Sequence, residues 1–115
     1  MSVFKGKNLI DEVEHYFELF SQKDLEGVSR KFSDDIFVQD WDIYAQGKEK
    51  VIEVNKGIFD SVDTVSVSMR EFYQQDLVTI CLIDVEINGQ EIRRVIDIIK
   101  FNGNYEIKEI SAYKQ

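Results

Sequence analysis

Two Asn-Gly pairs, at positions 88–89 and 102–103, constrain the fold of this chain more than any other feature. Asn and Gly tolerate the positive φ angles that the tightest β-hairpin turns require. Each pair separates stretches rich in β-branched and aromatic residues, and a weaker turn signal lies at 74–76. The second half of the sequence therefore predicts a meander of antiparallel strands over 64–73, 77–87, 91–101 and 105–113.

The first half begins with helical periodicity. An amphipathic helix is predicted from 9 to 20, with Tyr16 on its buried stripe and His15 beside the stripe, in solvent. The stripe consists of Leu9, Val13, Tyr16, Phe17 and Phe20. Asp24 is the expected N-cap of a second, short helix that ends near 33–35. Its buried side would be Leu25, Val28 and Phe32.

The segment 36–44 is rich in β-branched and aromatic residues and is predicted to be a strand. Its alternation places Val38, Asp40 and Asp42 on one face, so two acids share that face. Gly47 then interrupts the chain before a third amphipathic helix, predicted over 51–62. The sequence has no proline, repeat or linker, which favours one α+β domain over residues 1–115.

Composition excludes several partners. The formal net charge is −8 and the basic residues are scattered, so neither nucleic acid nor a membrane surface is an expected partner. No apolar run approaches the length of a membrane span or a signal peptide, and we expect a soluble, cytoplasmic protein. Cys81 is the sole cysteine and lies between Ile80 and Leu82, so it should pack as a small hydrophobic residue.

Three polar residues in apolar surroundings are the candidates for chemistry: Tyr16, Asp40 at the end of its strand, and Asp97 within Val95-Ile96-Asp97-Ile98-Ile99. An ionised carboxylate in that last setting is costly without a partner. Asp97 must therefore be hydrogen-bonded, paired with a cation such as Arg93 or Arg70, or protonated.

Two segments carry a resemblance to a known family: KDLEGVSRKFSDDIFVQDW, at 23–41, and VIDIIKFNGNYEIKEISAY, at 95–113. Together with the buried helical Tyr16, they make the chain similar to the nuclear transport factor 2-like (NTF2-like, also SnoaL-like) superfamily. Within that superfamily the chain most resembles the Δ5-3-ketosteroid isomerases. The resemblance implies a cone, in which a strongly curved antiparallel sheet wraps around three helices and encloses an apolar pocket.

The isomerase resemblance implies a role for each of the three candidates. Asp40 would be the base that moves a proton α to a carbonyl, and Tyr16 and a protonated Asp97 would donate hydrogen bonds to the developing oxyanion. No cofactor and no metal would be needed. The expected pocket wall comprises Phe20, Phe32, Val38, Trp41, Val54, Ile58, Val95, Ile110 and Ala112. Trp41 and Lys114 depart from the isomerase pattern, which bears on the steroid specificity.

Alternatives remain open for the same residues. Tyr16 can be an ordinary core residue, and Asp40 can accept backbone N–H groups in a loop. At the level of function, the rivals are a non-catalytic pocket that binds an apolar metabolite, a SnoaL-like cyclase or hydratase, and a module whose sheet binds a foreign protein. Because several strands look apolar on both faces, we expect a homodimer through the outer face of the sheet.

Overall fold

The structure is a computed structural model that describes residues 8–115. It contains three helices, α1 (Ile10–Ser21), α2 (Leu25–Arg30) and α3 (Lys48–Ser61). Its strands are β1 (Phe32–Gln39), β2 (Tyr44–Gln46), β3 (Val65–Gln75), β4 (Val78–Ile87), β5 (Glu91–Phe101) and β6 (Ile107–Lys114). None of the helices described is long and apolar enough to cross a membrane.

All six strands form one curved, unclosed sheet in the order β2-β1-β6-β5-β4-β3. The predicted α+β class and the meander of β3 to β6 are confirmed. One pair differs from the expected antiparallel sheet, because β1 lies parallel to β6. The meander of β3 to β6 ends beside β1, so β6 becomes the neighbour of β1. The direction in which β6 runs makes this pair parallel.

The first Asn-Gly pair forms the predicted tight turn. Asn88 and Gly89 have φ angles of 55° and 68°, and Asp76 makes the β3–β4 turn with a φ of 53°. The tight turn expected at Asn102-Gly103 is wrong. The Asn102 side chain instead accepts the N–H groups of residues 104 and 106, which builds a longer loop with its positive φ at Tyr105.

Helix α2 is shorter than predicted. The Asp24 side chain caps it as expected, accepting the Gly27 N–H at 2.9 Å. The helix ends at Arg30 rather than near 33–35, because the Lys31 carbonyl accepts the Ile107 N–H at 2.8 Å and pairing with β6 begins at the next residue. Phe32 therefore belongs to a strand, although its spacing from the apolar residues of α2 is helical.

The helices cover one face of the sheet, and the core lies between them. Helix α1 packs against β3 with Tyr16 and Phe17 buried, and α3 packs against β1. Along β5, the residues that face the helices are Val95, Asp97, Ile99 and Phe101. Cys81 is fully buried opposite Asp97, which confirms the packing role predicted for it.

Candidate active site

A cavity of about 440 Å³ lies between the helices and the concave face of the sheet. Its wall includes Tyr16 of α1, Asp40 directly after β1, and Asp97 of β5. The wall also contains eight of the nine other expected residues, namely Phe20, Val38, Trp41, Val54, Ile58, Val95, Ile110 and Ala112. The three polar candidates therefore meet in one largely apolar space.

Phe32 does not line the cavity, contrary to our expectation. It is fully buried, and its ring centroid lies 6.2 Å from that of Tyr16. As the first residue of β1 it pairs with Ile107, which is also fully buried. Phe32 therefore supports the Tyr16 ring as part of the packed core.

Sequence reasoning missed the contribution of β3 and β4 to the cavity wall. These strands present Val65, Val67, Ile83 and Val85 to the cavity. Their alternation with outward-facing residues was a usable signal, since period-2 positions of one strand share a face. Arg93 on β5 was also missed as a wall residue; it shares the face of Val95 and Asp97.

Tyr16 stands in an aromatic cluster. The residue is 5% exposed, and its ring centroid lies 5.6 Å from that of Phe17 and 6.1 Å from that of Phe20. Burial and the nearby Asp97 raise the pKa of the phenol, so the hydroxyl keeps its proton at neutral pH. Among residues 8–115 no hydrogen-bond partner is found for this hydroxyl, which leaves it able to donate into the cavity.

Asp97 is a buried acid without a cationic partner among the described residues. Burial raises its pKa to about 7, and the negative charge of Asp40 adds to that increase. The two arginines considered from sequence bind other acids: Arg70 pairs with Asp84 at 3.0 Å, and Arg93 pairs with Glu91. Asp97 is thus poised to be a neutral donor around and below neutral pH.

Asp40 closes the turn that follows β1. Its Oδ1 accepts the backbone N–H groups of Asp42 and Ile43, both at 2.7 Å, and its own N–H donates to the Ile43 carbonyl at 2.9 Å. The loop-capping alternative is therefore correct for one carboxylate oxygen. For Oδ2 the part of the chain described shows no hydrogen bond, so that oxygen is available to the cavity.

This turn also corrects the predicted strand. Strand β1 ends at Gln39, before the two acids that were expected to share its face. Beyond it the alternation is lost, and the consecutive residues Asp40, Trp41 and Asp42 all line the cavity. In an uninterrupted strand Trp41 would face away from Asp40 and Asp42, so the end of β1 is what allows all three to line the cavity.

The arrangement joins a carboxylate with a free oxygen, a phenol and a buried acid of raised pKa around an apolar space. Such a set can remove a proton from carbon while two neutral donors hold a developing oxyanion. Over residues 8–115 no three His, Cys, Asp or Glu side chains cluster in a way that would hold a metal ion. His15 is exposed on the outer side of α1, as predicted, away from this cavity.

Fold and cavity together define a cone-shaped α+β protein with an apolar pocket. No protein-family model matches the sequence, and no curated protein matches it. Solved structures do match it, and the chain has the fold of the NTF2-like (SnoaL-like) proteins, as the sequence resemblance implied.

Three of these structures illustrate the range of the fold. An NTF2-like protein of unknown function from Cytophaga hutchinsonii has a TM-score of 0.78 and 10% identity over 96% of this chain and 94% of its own. A candidate ketosteroid isomerase from Kribbella flavida has a TM-score of 0.78 and 8% identity over 90% and 74%. A candidate SnoaL-like polyketide cyclase from Shewanella denitrificans has a TM-score of 0.79 and 12% identity over 91% and 88%. At these identities the likeness shows the fold alone.

Proposed function

We propose that this protein is a cofactor-free isomerase that moves a proton α to the carbonyl of a small hydrophobic compound. The observation that carries the proposal is the meeting of Tyr16, Asp40 and Asp97 in one apolar cavity, with the buried acid unpaired among the described residues. Two structural neighbours are named as candidate enzymes of related types, an isomerase and a cyclase, on the same fold.

Each residue has a distinct part in the proposed reaction. Asp40 Oδ2 takes the proton from carbon, while Oδ1 stays anchored to the turn and fixes the direction of the carboxylate. The same oxygen returns the proton to a neighbouring carbon, and the double bond moves into conjugation. Tyr16 and the protonated Asp97 donate to the dienolate oxygen and stabilise its charge in a site of low dielectric.

The test follows a β,γ-unsaturated ketosteroid by the ultraviolet absorbance of its conjugated product. Asp40→Asn keeps an oxygen acceptor for the turn but removes the base, so kcat should fall by about 10³-fold or more. Tyr16→Phe removes one oxyanion donor and should lower kcat by roughly 10²-fold.

Asp42→Asn is the matched control for the base. It removes a carboxylate from the same turn and the same cavity wall, and it should leave kcat within about twofold of wild type. Equal rates for wild type and Asp40→Asn, or equal losses for Asp40→Asn and Asp42→Asn, would exclude Asp40 as the base.

One observation favours a second candidate function, a pocket that binds an apolar ligand without turning it over. Half of the Asp40 carboxylate is already used to cap a turn, which is a purely structural task. In that case Tyr16 and Asp97 would only orient the polar end of the ligand. Binding that Tyr16→Phe weakens, together with no turnover of any carbonyl probe, would identify this function.

A further inference from the structure

Two cationic side chains stand on the cavity side of the sheet, beyond Asp97 and toward solvent. Arg93 precedes Asp97 by four residues on β5, so the two share a face, and Arg93 lines the cavity. Lys114 of β6 pairs with Val95 of β5 and therefore lies on the same face. Along the strand direction it lies between the levels of Arg93 and Asp97. Asp97 is buried whereas Arg93 and Lys114 are exposed, so this face of the sheet runs from the cavity floor to its mouth.

Lys114 is held at the mouth by an aromatic wall residue. Its Nζ lies 4.6 Å from the ring centroid of Trp41, which lines the cavity. Within residues 8–115 no carboxylate forms an ion pair with Lys114. The acid of the mouth, Asp42, pairs with neither cation in that part of the chain.

Arg93 keeps donors for a ligand. Only its Nε is bonded to Glu91, its neighbour two residues away on the same strand, in a pair whose side chains are 45% and 53% exposed. The two terminal nitrogens of the guanidinium make no hydrogen bond to any described residue. An ion pair this exposed contributes little binding energy. The planar guanidinium of Arg93 can bind a carboxylate through two parallel hydrogen bonds.

The distance between Asp97 at the cavity floor and Arg93 at its mouth sets the length of a ligand that could contact both. Arg93 precedes Asp97 by four positions on β5, which corresponds to about 13 Å along the strand. The wall between them is apolar, formed by Val95 and by Ile83 and Val85 of the neighbouring strand. A ligand that fills this space meets neutral donors at one end and the cationic side chains of Arg93 and Lys114 at the other.

We propose that the natural ligand is an elongated apolar carbonyl compound with an anionic group, such as a carboxylate, at the end remote from its carbonyl. Arg93 and Lys114 bind that anion at the cavity mouth. The inference rests on the proposed function only in taking the carbonyl end to lie at Tyr16 and Asp97. Because the whole chain carries a net charge of −8, these two cations also select where an anionic ligand can approach.

The test compares 3-oxo-androst-5-ene-17β-carboxylate with its methyl ester. Binding is followed by the fluorescence of Trp41, the single tryptophan, which lies in the cavity wall. Wild type should bind the carboxylate roughly tenfold more tightly than the ester, as expected for charge-assisted hydrogen bonds near solvent. Arg93→Gln should remove most of that preference and leave the affinity for the ester unchanged, and Lys114→Gln should reduce it about threefold.

Arg94→Gln is the matched control, because Arg94 is the next residue on β5, faces the opposite side of the sheet and contacts Asp84 there. It changes the net charge equally and should preserve the preference. Equal affinities of wild type for the two probes, no binding of the carboxylate, or equal effects of Arg93→Gln and Arg94→Gln would each overturn the anion site.

Turnover measured on the same samples separates this inference from the proposed function. If the ester is isomerised and the carboxylate has no advantage in binding, the anion site is wrong and the isomerase stands. If the carboxylate is preferred through Arg93 and neither probe is isomerised, the anion site stands on a binding protein and the proposed isomerase is wrong.

Discussion

Asp97 shows how one residue can be costly to the fold and useful to the site. The residue is 9% exposed, and among the described residues neither a cation nor a hydrogen-bond donor holds the charge of its carboxyl group. Burial and the Asp40 charge therefore favour the protonated form. The same physics that opposes an ionised Asp97 produces a neutral donor beside Tyr16, where an oxyanion would need one.

The stability of the protein should record this protonation. Because the folded pKa of Asp97, about 7, lies above the ordinary value of an unfolded chain, the folded state holds an extra proton between about pH 4 and 7. The free energy of unfolding should therefore fall as pH rises through that window. Relative to Asp97→Asn, wild type should lose about 3 kcal/mol between pH 5 and 8 in urea unfolding.

Asp34→Asn is the control for that titration, since Asp34 is an exposed acid of β1. Its stability should follow the wild-type pH profile to within about 0.5 kcal/mol. A constant difference between wild type and Asp97→Asn over pH 5 to 8 would show that the Asp97 pKa is not raised by folding.

At the scale of single elements, the N-terminus of α2 depends on a glycine. A Cβ on Gly27 would lie 2.5 Å from Asp24 Oδ2 and 2.9 Å from Leu19 Cδ2, so the capping carboxylate and the α1 contact would both have to move. Gly27→Ala should lower the free energy of unfolding by about 1–3 kcal/mol. Chemical denaturation measures this directly.

Gly57 provides the comparison because it lies within α3 and a Cβ added to it would have no neighbouring atom within 4 Å outside its own helix turn. Gly57→Ala should stabilise the protein by about 0.5–1 kcal/mol through helix propensity alone. If both glycine variants shift the free energy of unfolding in the same direction by the same amount, that result would contradict the close packing around Gly27.

The sequence predicted correctly those turns and helix caps that depend only on residues close together in the chain. The Asn88-Gly89 turn and the Asp24 cap are set by φ preferences and by a side chain that reaches its own backbone, so the sequence revealed both. Phe32 was assigned to a helix because helical spacing is visible in sequence, whereas pairing with Ile107, 75 positions away, is not.

The site likewise contains residues that the sequence predicted and features that it could not predict. The polar residues stood out in sequence because each interrupts an apolar pattern, and eight expected wall residues lie in the cavity. The turn at Asp40 could not be predicted, since it depends on which backbone N–H groups face Oδ1. Arg93 was considered only as a partner for Asp97, because its place at the mouth requires the β5 register and the sheet curvature together.

At the scale of the whole molecule, the outer face of the sheet has apolar area that the helices do not cover. Its large exposed side chains include Tyr44, Tyr73, Ile80 and Tyr113. The Phe37 ring adds to this face, with its centroid 5.9 Å from that of Tyr44. Faces of this kind are typical of protein–protein interfaces, and we expect a second copy of the chain to cover it.

Sedimentation velocity at micromolar concentration should therefore give the mass of a dimer. Ile80→Lys combined with Tyr113→Lys places two charges on the outer face and should shift the mass to that of one chain. Glu14→Lys is a control that adds positive charge to an exposed residue of α1, on the side of the sheet that the helices cover. A wild-type monomer, or a dimer that survives the double variant, would contradict self-association through this face.

The central claim is that a buried neutral acid and an ionised carboxylate share one apolar cavity, and direct titration of the Asp97 carboxyl tests it without any substrate. Carbon-13 NMR of aspartate-labelled protein, assigned with Asp97→Asn, should show this carboxyl titrating near pH 7. In Asp40→Asn the midpoint should move down, because one negative charge nearby is removed. An Asp97 that is already ionised at pH 5, or a midpoint that Asp40→Asn leaves unchanged, would contradict the account.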